Sequence, residues 1–483
     1  MLRLNLLRNF RIFQGTNVAA VSTQLHRLNC HSVRIVSSSE NKISTSLGNE
    51  VFPFIPVVCV RNFHVASRTN GRLLQMFEDL QKRKTSKSKQ EQLLSSFNMV
   101  RKIQMETDPE ELLEIYNAIK DETRIDQDNL AVLYAQVALL YRFAYLAARQ
   151  TGHRFTSNDD VMNATVNLAN IIRWNSNLCE PTHLASAVYS IASLGFKDLS
   201  YFIHFEREIR SCTPSRFTNP DLAMILWAYG KVQFRSKQLY KFIRSEIMAR
   251  DLSTFKVKEI CQFLWSYART LEKGAKLFAA LREEIMKRDL TQFEERSLTI
   301  ILWSYSEVGL NVKPLFRSIK LEILRRGVAS FTYQQLAQIA SSYAQQNIRS
   351  PDLYQEISAE LIERGELNFA PVGLVMVVNG FAKTKNYIRD LFKLIENHLL
   401  AQDLSVYEPL QVVRLLWAFT DAGLLTEPLF RKLTDEILDS DFSNLNDLCL
   451  EELVKALETC RFHSPELVQA TEAELVRRSE VPE

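Results

Sequence analysis

Apolar residues recur along this chain on a ruler of 38 residues. One column runs Ile191, Tyr229, Tyr267, Tyr305, Tyr343, Phe381, Phe419 and Leu457. A second, offset by eleven, runs Phe202, Tyr240, Phe278, Phe316, Tyr354, Phe392, Phe430 and Val468. A third runs Phe217, Phe255, Phe293, Phe331, Phe369, Tyr407 and Leu445. Three apolar columns in phase, with no insertion between copies, mark a stacked-repeat architecture.

Within one period the spacing is helical. Leu222, Ile225, Leu226, Tyr229 and Val232 share one helix face, and a second periodic run covers Leu239 to Met248. The polar stretch GKVQFRSKQ separates them. Arg250-Asp251, Arg288-Asp289, Arg326-Gly327 and Arg364-Gly365 mark the end of the second helix. A cation there offsets the helix dipole, and Gly suits a left-handed stop. No segment alternates as a strand would. The predicted fold is therefore all-α, an α-solenoid of 38-residue helix–turn–helix repeats with an N-terminal helical cap. Repeats start at 179, 217, 255, 293, 331, 369, 407 and 445, so eight of them fill residues 179–482.

The region before the repeats differs. Residues 1–39 contain no Asp or Glu, and Arg3, Arg8, Arg11, Arg27 and Arg34 interleave with Leu, Ile and Phe. This is the composition of a mitochondrial presequence, so residues 1–66 read as leader and linker, and the expected location is the mitochondrial matrix. Residues 67–178 are helical in pattern but off the ruler, a cap or degenerate repeats. They include the basic stretch KRKTSKSK and an apolar helix from Asn129 to Arg149, expected to be buried.

The tetrapeptide LWSY occurs at Leu264 to Tyr267 and at Leu302 to Tyr305, with LWAY at Leu226 to Tyr229. The longer phrase FTNPDLAMILWAYGKV followed by LYKFIRSEI resembles the octotricopeptide repeat, and the similar heptatricopeptide repeats of organellar RAP-domain proteins. The resemblance covers about 300 residues. It implies organellar RNA binding, in RNA stability, processing, translation or ribosome assembly. Many relatives end in a nuclease-like RAP domain. Here the last repeat ends the chain, so no cleavage activity is carried over.

Further columns are candidates for chemistry. Trp227, Trp265, Trp303 and Trp417 could stack on bases, but their helical spacing among small residues favours packing between repeats. Glu246, Glu284, Glu322 and Glu360 each precede an Arg by four residues, the favourable orientation for a helix ion pair. The column His183, Asp221, Glu259, Ser297, Gln335, Gly373, Gln411 and Cys449 is mostly polar and changes at nearly every step. Positions 221, 224, 228 and 231 share a face. The 228 column is always small, and the 231 column varies through Lys231, Arg269 and Glu307. Small residues flanked by variable polar ones suit an RNA read one unit per repeat; a solvated or inter-repeat face is the alternative. The candidate RNA-binding residues are Asp221, Lys231, Lys241, Arg244, Glu259, Gln262, Arg269, Ser297, Gln335 and Gln338.

Charge divides the repeats. Phe217 to Ser330 holds 20 Lys/Arg against 12 Asp/Glu, and Phe331 to Glu483 holds 13 against 24. Phosphate binding needs cations. The expected partners are therefore single-stranded organellar RNA or rRNA on repeats two to four and a protein on the acidic C-terminal repeats. No membrane span and no small-molecule substrate are expected. The alternative function is a protein scaffold, such as a structural subunit of the mitochondrial ribosome. Seven scattered cysteines form no metal frame. There is no P-loop, G-x-S-x-G, H-E-x-x-H or G-x-G-x-x-G, so no enzyme, cofactor or metal is expected.

Overall fold

A computed structural model describes residues 98–480, apart from 124, 126–128, 150–158, 273, 311 and 443–444. The leader and the KRKTSKSK stretch lie outside the described residues. Those described form helices and turns, with no strand among them. Residues 98–105 are α1. Then come α2 (Pro109–Ile119), α3 (Leu130–Arg149), α4 (Asp159–Trp174), α5 (Pro181–Ser193) and α6 (Leu199–Ser211). Next are α7 (Asn219–Lys231), α8 (Lys237–Ala249), α9 (Val257–Thr270), α10 (Ala275–Lys287), α11 (Glu295–Val308) and α12 (Lys313–Arg326). The rest are α13 (Tyr333–Gln345), α14 (Pro351–Arg364), α15 (Pro371–Lys383), α16 (Arg389–Ala401), α17 (Pro409–Asp421), α18 (Glu427–Asp439), α19 (Asp447–Thr459) and α20 (Pro465–Glu480).

Two compact units divide the described chain, one ending at Leu315 and the other beginning at Phe316. Each is a solenoid-like stack of helical hairpins. In the first unit α3, α5, α7, α9 and α11 lie side by side, and α6 and α8 pack in a second layer. In the second unit α13, α15, α17 and α19 form one layer, and α14, α16, α18 and α20 the other. Helix α3 is long and apolar enough to cross a membrane by composition, yet 56% of its most apolar stretch is buried inside the protein. Leu133, Val137, Leu140 and Phe143 are among its buried side chains.

The two aromatic columns meet between neighbouring repeats. The Tyr229 hydroxyl donates to the Phe202 carbonyl at 2.7 Å, and Tyr267 donates to Tyr240 at 2.6 Å. Tyr305 donates to Phe278 and Tyr343 to Phe316, both at 2.7 Å. Each bond spans 27 residues, and each pair of rings meets edge to face at 4.9–5.8 Å between centroids. Such ring pairs add about 0.5–1.5 kcal/mol beyond burial. Phe381 and Phe419 keep the edge-to-face contact, on Tyr354 and Phe392, without the hydroxyl.

The predicted Glu–Arg pairs form, and they do more than pair. Arg250, held to Glu246, also donates to the Phe217 carbonyl at 2.7 Å. Arg288, held to Glu284, donates to Phe255 at 2.8 Å, and Arg364, held to Glu360, donates to Phe331 at 2.9 Å. In these three repeats the guanidinium thus ties the end of the second helix to the start of its own repeat. Repeat six has His398 and Gln402 at these positions. There Lys432, from the following repeat, donates to the carbonyls of Leu399, Leu400 and Gln402.

The turn inside each hairpin also obeys the ruler. Gly195, Gln233, Leu271, Gly309, Asn347, Lys385 and Gly423 all have positive φ. Behind it the chain closes with a six-residue helix stop, for example Phe234 N–H to the Tyr229 carbonyl at 3.0 Å. Four of these seven residues are not glycine, a conformation costing about 1–2 kcal/mol each for an L-residue. At the other end of the repeat, Gly327 and Gly365 have positive φ where the sequence predicted a left-handed stop.

This packing is open to two tests. Tyr267→Phe removes one buried hydroxyl bond and keeps the ring, so it lowers stability by about 1 kcal/mol in urea unfolding. An unchanged midpoint would show that the hydroxyl adds nothing. The second concerns Glu322, which is 6% exposed. Hydrogen bonds from Arg325 and then Arg326 outweigh burial and hold its carboxyl at about 2. A depressed carboxylate stabilises the fold above the ordinary glutamate range and loses that contribution as pH falls towards 2. Glu322→Gln is expected to cost about 1.5–3 kcal/mol at neutral pH. The gap to the parent protein should close below about pH 3, as followed by helical circular dichroism.

Candidate nucleic-acid interface

The first-helix layer of the first unit is unusually tight. Residues 221–230 of α7 are all buried, as are residues 259–268 of α9. The small 228 column is the cause. Ser266 folds its hydroxyl back onto the Gln262 carbonyl at 2.7 Å. A methyl group on Gly230 would lie 3.0 Å from the Ser266 Cα. With the backbones so close, the larger residues of neighbouring helices meet in a row. Tyr141 lies 5.9 Å from Tyr189, Tyr189 lies 4.7 Å from Trp227, and Trp227 stacks on Trp265 at 6.5 Å. Trp227, Trp265 and Trp303 are at most 8% exposed and pack between repeats, as expected, whereas Trp417 is half-buried.

At one end of this row a cleft opens. Tyr141, Tyr189, Pro220, Met224, Lys256, Lys258, Glu259 and Gln262 line it, and it is a shallow depression whose enclosed space is about 20 Å³, room for one water. Half-buried Tyr141 presents an aromatic wall, and exposed Lys256 and half-buried Lys258 stand at the entrance of α9. Glu259 and Gln262 are 5% and 7% exposed. The surface around it joins the edge of an aromatic row to two lysines, groups that suit a nucleic-acid strand lying across it.

The predicted site residues are distributed as follows. Glu259 and Gln262 come together in the cleft. Lys231 and Arg269 end their helices on the same layer, both half-buried. The Lys231 ammonium reaches the Ser193 carbonyl at 3.4 Å and sits 5.2 Å over the Trp227 ring, and burial pushes its pKa down. Burial also lowers Arg269, with Glu307 opposing it. Ser297 is half-buried on α11, and its carbonyl accepts from the Cys261 thiol at 3.7 Å. Lys241 and Arg244 are elsewhere, on second-layer helix α8. Gln335 and Gln338 belong to the second unit, where Gln338 is 5% exposed.

The 221 column has a role that its variability concealed. Asp221 is 1% exposed and accepts from the Thr218 N–H at 2.7 Å, closing a capping box at the start of α7. Glu259 accepts from the Lys256 N–H at 2.8 Å, Gln335 from Thr332 at 2.8 Å and Gln411 from Glu408 at 3.3 Å. These residues cap helices through a shared third position. Tyr141 and Tyr189 were missed as site residues. Tyr189 stands one period before Trp227, which could have flagged it, whereas Tyr141 is off the ruler. Lys256 and Lys258 counted only towards the basic surplus. Among the described residues no cluster of His, Cys, Asp and Glu could hold a metal ion.

Residues 283–479 match a family model described as RNA-editing substrate-binding complex 6 protein. The family matched is thus one of RNA-associated proteins. The match begins after Gln262 and covers none of the cleft. No curated protein matches this chain. Solved structures that match include a homology model of the full-length AP-3 complex in an intermediate open conformation, at 11% identity and a TM-score of 0.27. That alignment covers 76% of this chain and 62% of the other, so this chain spans less than two thirds of it.

The close approach of α7 and α9 is centred on Gly230 and Ser266. Gly230→Ala gains about 1 kcal/mol of helix propensity and loses about 1–3 kcal/mol to overpacking. It is expected to lower the urea midpoint, and a raised midpoint would show that the packing has slack.

Proposed function

We propose that this protein is a non-enzymatic, mitochondrial RNA-binding helical-repeat protein of octotricopeptide type. Its first unit holds single-stranded RNA and its acidic C-terminal repeats meet a protein partner. The observation that carries the reading is the shallow surface where Tyr141 lies beside Lys256 and Lys258. Ring stacking and phosphate pairing are the two contacts that unpaired RNA offers regardless of sequence. The surplus of cations in repeats two to four supports it, as does the acid-free, Arg-bearing N-terminus. The name of the matched family supports a role in handling RNA within a larger complex, such as RNA editing or another step of organellar RNA maturation.

A second reading is a pure protein scaffold, for example within the mitochondrial ribosome. The excess of acid beyond Phe331 favours it, together with exposed apolar residues such as Val406 and Leu448. Charge reversal separates the two. Lys256→Glu with Lys258→Glu is expected to weaken binding of a single-stranded oligonucleotide at least roughly tenfold. It should also flatten the salt dependence by about 0.7 for each phosphate that is no longer neutralised. Undiminished RNA crosslinking of this variant in mitochondria, with its protein partners retained, would defeat the RNA reading and leave the scaffold.

A further inference from the structure

We infer that the seventh repeat carries a socket for an arginine side chain of the protein partner. The inference rests on the reading that the acidic repeats meet a protein, and it adds the place and the chemistry of that contact. Four other repeats define the socket, because there the chain fills it with its own arginine. Arg250, Arg288, Arg364 and Arg478 each turn Nε to the glutamate four residues before, at 2.6–2.8 Å. A terminal amino group of the same fork donates to the main-chain carbonyl of Phe217, Phe255, Phe331 or Leu445. Arg288 and Arg364 reach a further carbonyl just upstream, of Leu252 and Ala329. These four side chains are 16–19% exposed, so the guanidinium lies just beneath the surface.

On the same ruler the corresponding positions of the seventh repeat are Glu436, Tyr407 and Leu404, but Ser440 stands where the arginine would. The frame around them is kept. Helix α18 packs on the short helix Leu404–Val406 as α10 packs on Leu252–Thr254, and the Tyr407 N–H closes that turn on the Leu404 carbonyl at 2.9 Å. Ser440 folds its hydroxyl back onto the Ile437 carbonyl at 2.6 Å. Half-buried Glu436 is left among acids: burial, then Asp403 and Asp439, push its carboxyl up, with Lys432 opposing. Glu474, bonded by Arg477 and Arg478, is instead held at about 2. The Lys432 ammonium is committed to the carbonyls of Leu399, Leu400 and Gln402 in repeat six. A carboxylate facing main-chain carbonyls suits a planar fork of five donors, which serves both at once, better than a compact ammonium. Exposed Asp403 and Asp439 flank the approach and favour a cation.

The sister repeats supply the variant that tests this. Ser440→Arg fills the socket from within the chain, with the residue that four other repeats use. The measurement is fluorescence anisotropy of the full-length protein with labelled nona-arginine and nona-lysine, which carry equal charge. The ratio of their affinities cancels the general attraction of cations to an acidic surface. The parent protein is expected to bind nona-arginine roughly tenfold more tightly than nona-lysine. Ser440→Arg should bring that ratio close to one. Asn397→Arg adds the same charge at an exposed position of α16 and should leave the ratio as in the parent. Equal affinities in the parent, or a ratio that survives Ser440→Arg, overturns the arginine socket and leaves the protein-partner reading intact. Loss of helical circular dichroism in Ser440→Arg would show that a guanidinium does not fit there, and overturns the socket as well. Failure of both peptides to bind overturns the socket and the partner reading together.

Discussion

A tyrosine hydroxyl that reaches back 27 residues to a main-chain carbonyl sets the geometry of four neighbouring pairs of repeats. The bond forms only if the ring is already seated edge-on against the aromatic residue that owns the carbonyl. One side chain therefore fixes distance, rotation and register together. Hydrophobic burial alone is non-directional and would allow adjacent hairpins to slide. The hydroxyl removes that freedom, and the repeats need no insertion or deletion to accommodate slippage.

With register fixed, the approach of the first helices is limited only by their smallest side chains. The column of Ser, Ala and Gly at position 228 brings α7 and α9 close enough that a methyl group at Gly230 would press on main chain. That closeness buries the tryptophans and presses the 221 column into the caps. The surface left for a ligand is therefore small. It lies where α3, which is off the ruler, joins the layer of periodic helices.

Much of this was legible in the chain, for a physical reason. The core columns, the helix pairs and the Glu–Arg pairs repeat with the same chemistry, so each copy corroborates the others. The 221 column also serves capping, which the sequence pattern did not reveal. Asp221, Glu259 and Gln335 are polar and interchangeable because any side-chain oxygen can accept the cap N–H, and this looks like the variability of a recognition position. The left-handed turns were hidden for the opposite reason. Glycine marks them at 195, 309 and 423 and asparagine at 347, but Gln233, Leu271 and Lys385 adopt the same backbone without a sequence signal. Tyr141 could not be found by periodicity, since it belongs to none of the columns.

The way in which repeat six is closed bears on how the C-terminal hairpins come apart. Where Arg ties a second helix to its own repeat, that repeat carries its own latch. Between residues 369 and 444 the latch is borrowed: Lys432 of the seventh repeat secures the end of α16 in the sixth. Fraying of α18 therefore releases α16 as well, and the two hairpins open as one cooperative block. Modular exchange, by recombination or by design, can cut cleanly at a boundary with an internal latch. At this one it must take both repeats together.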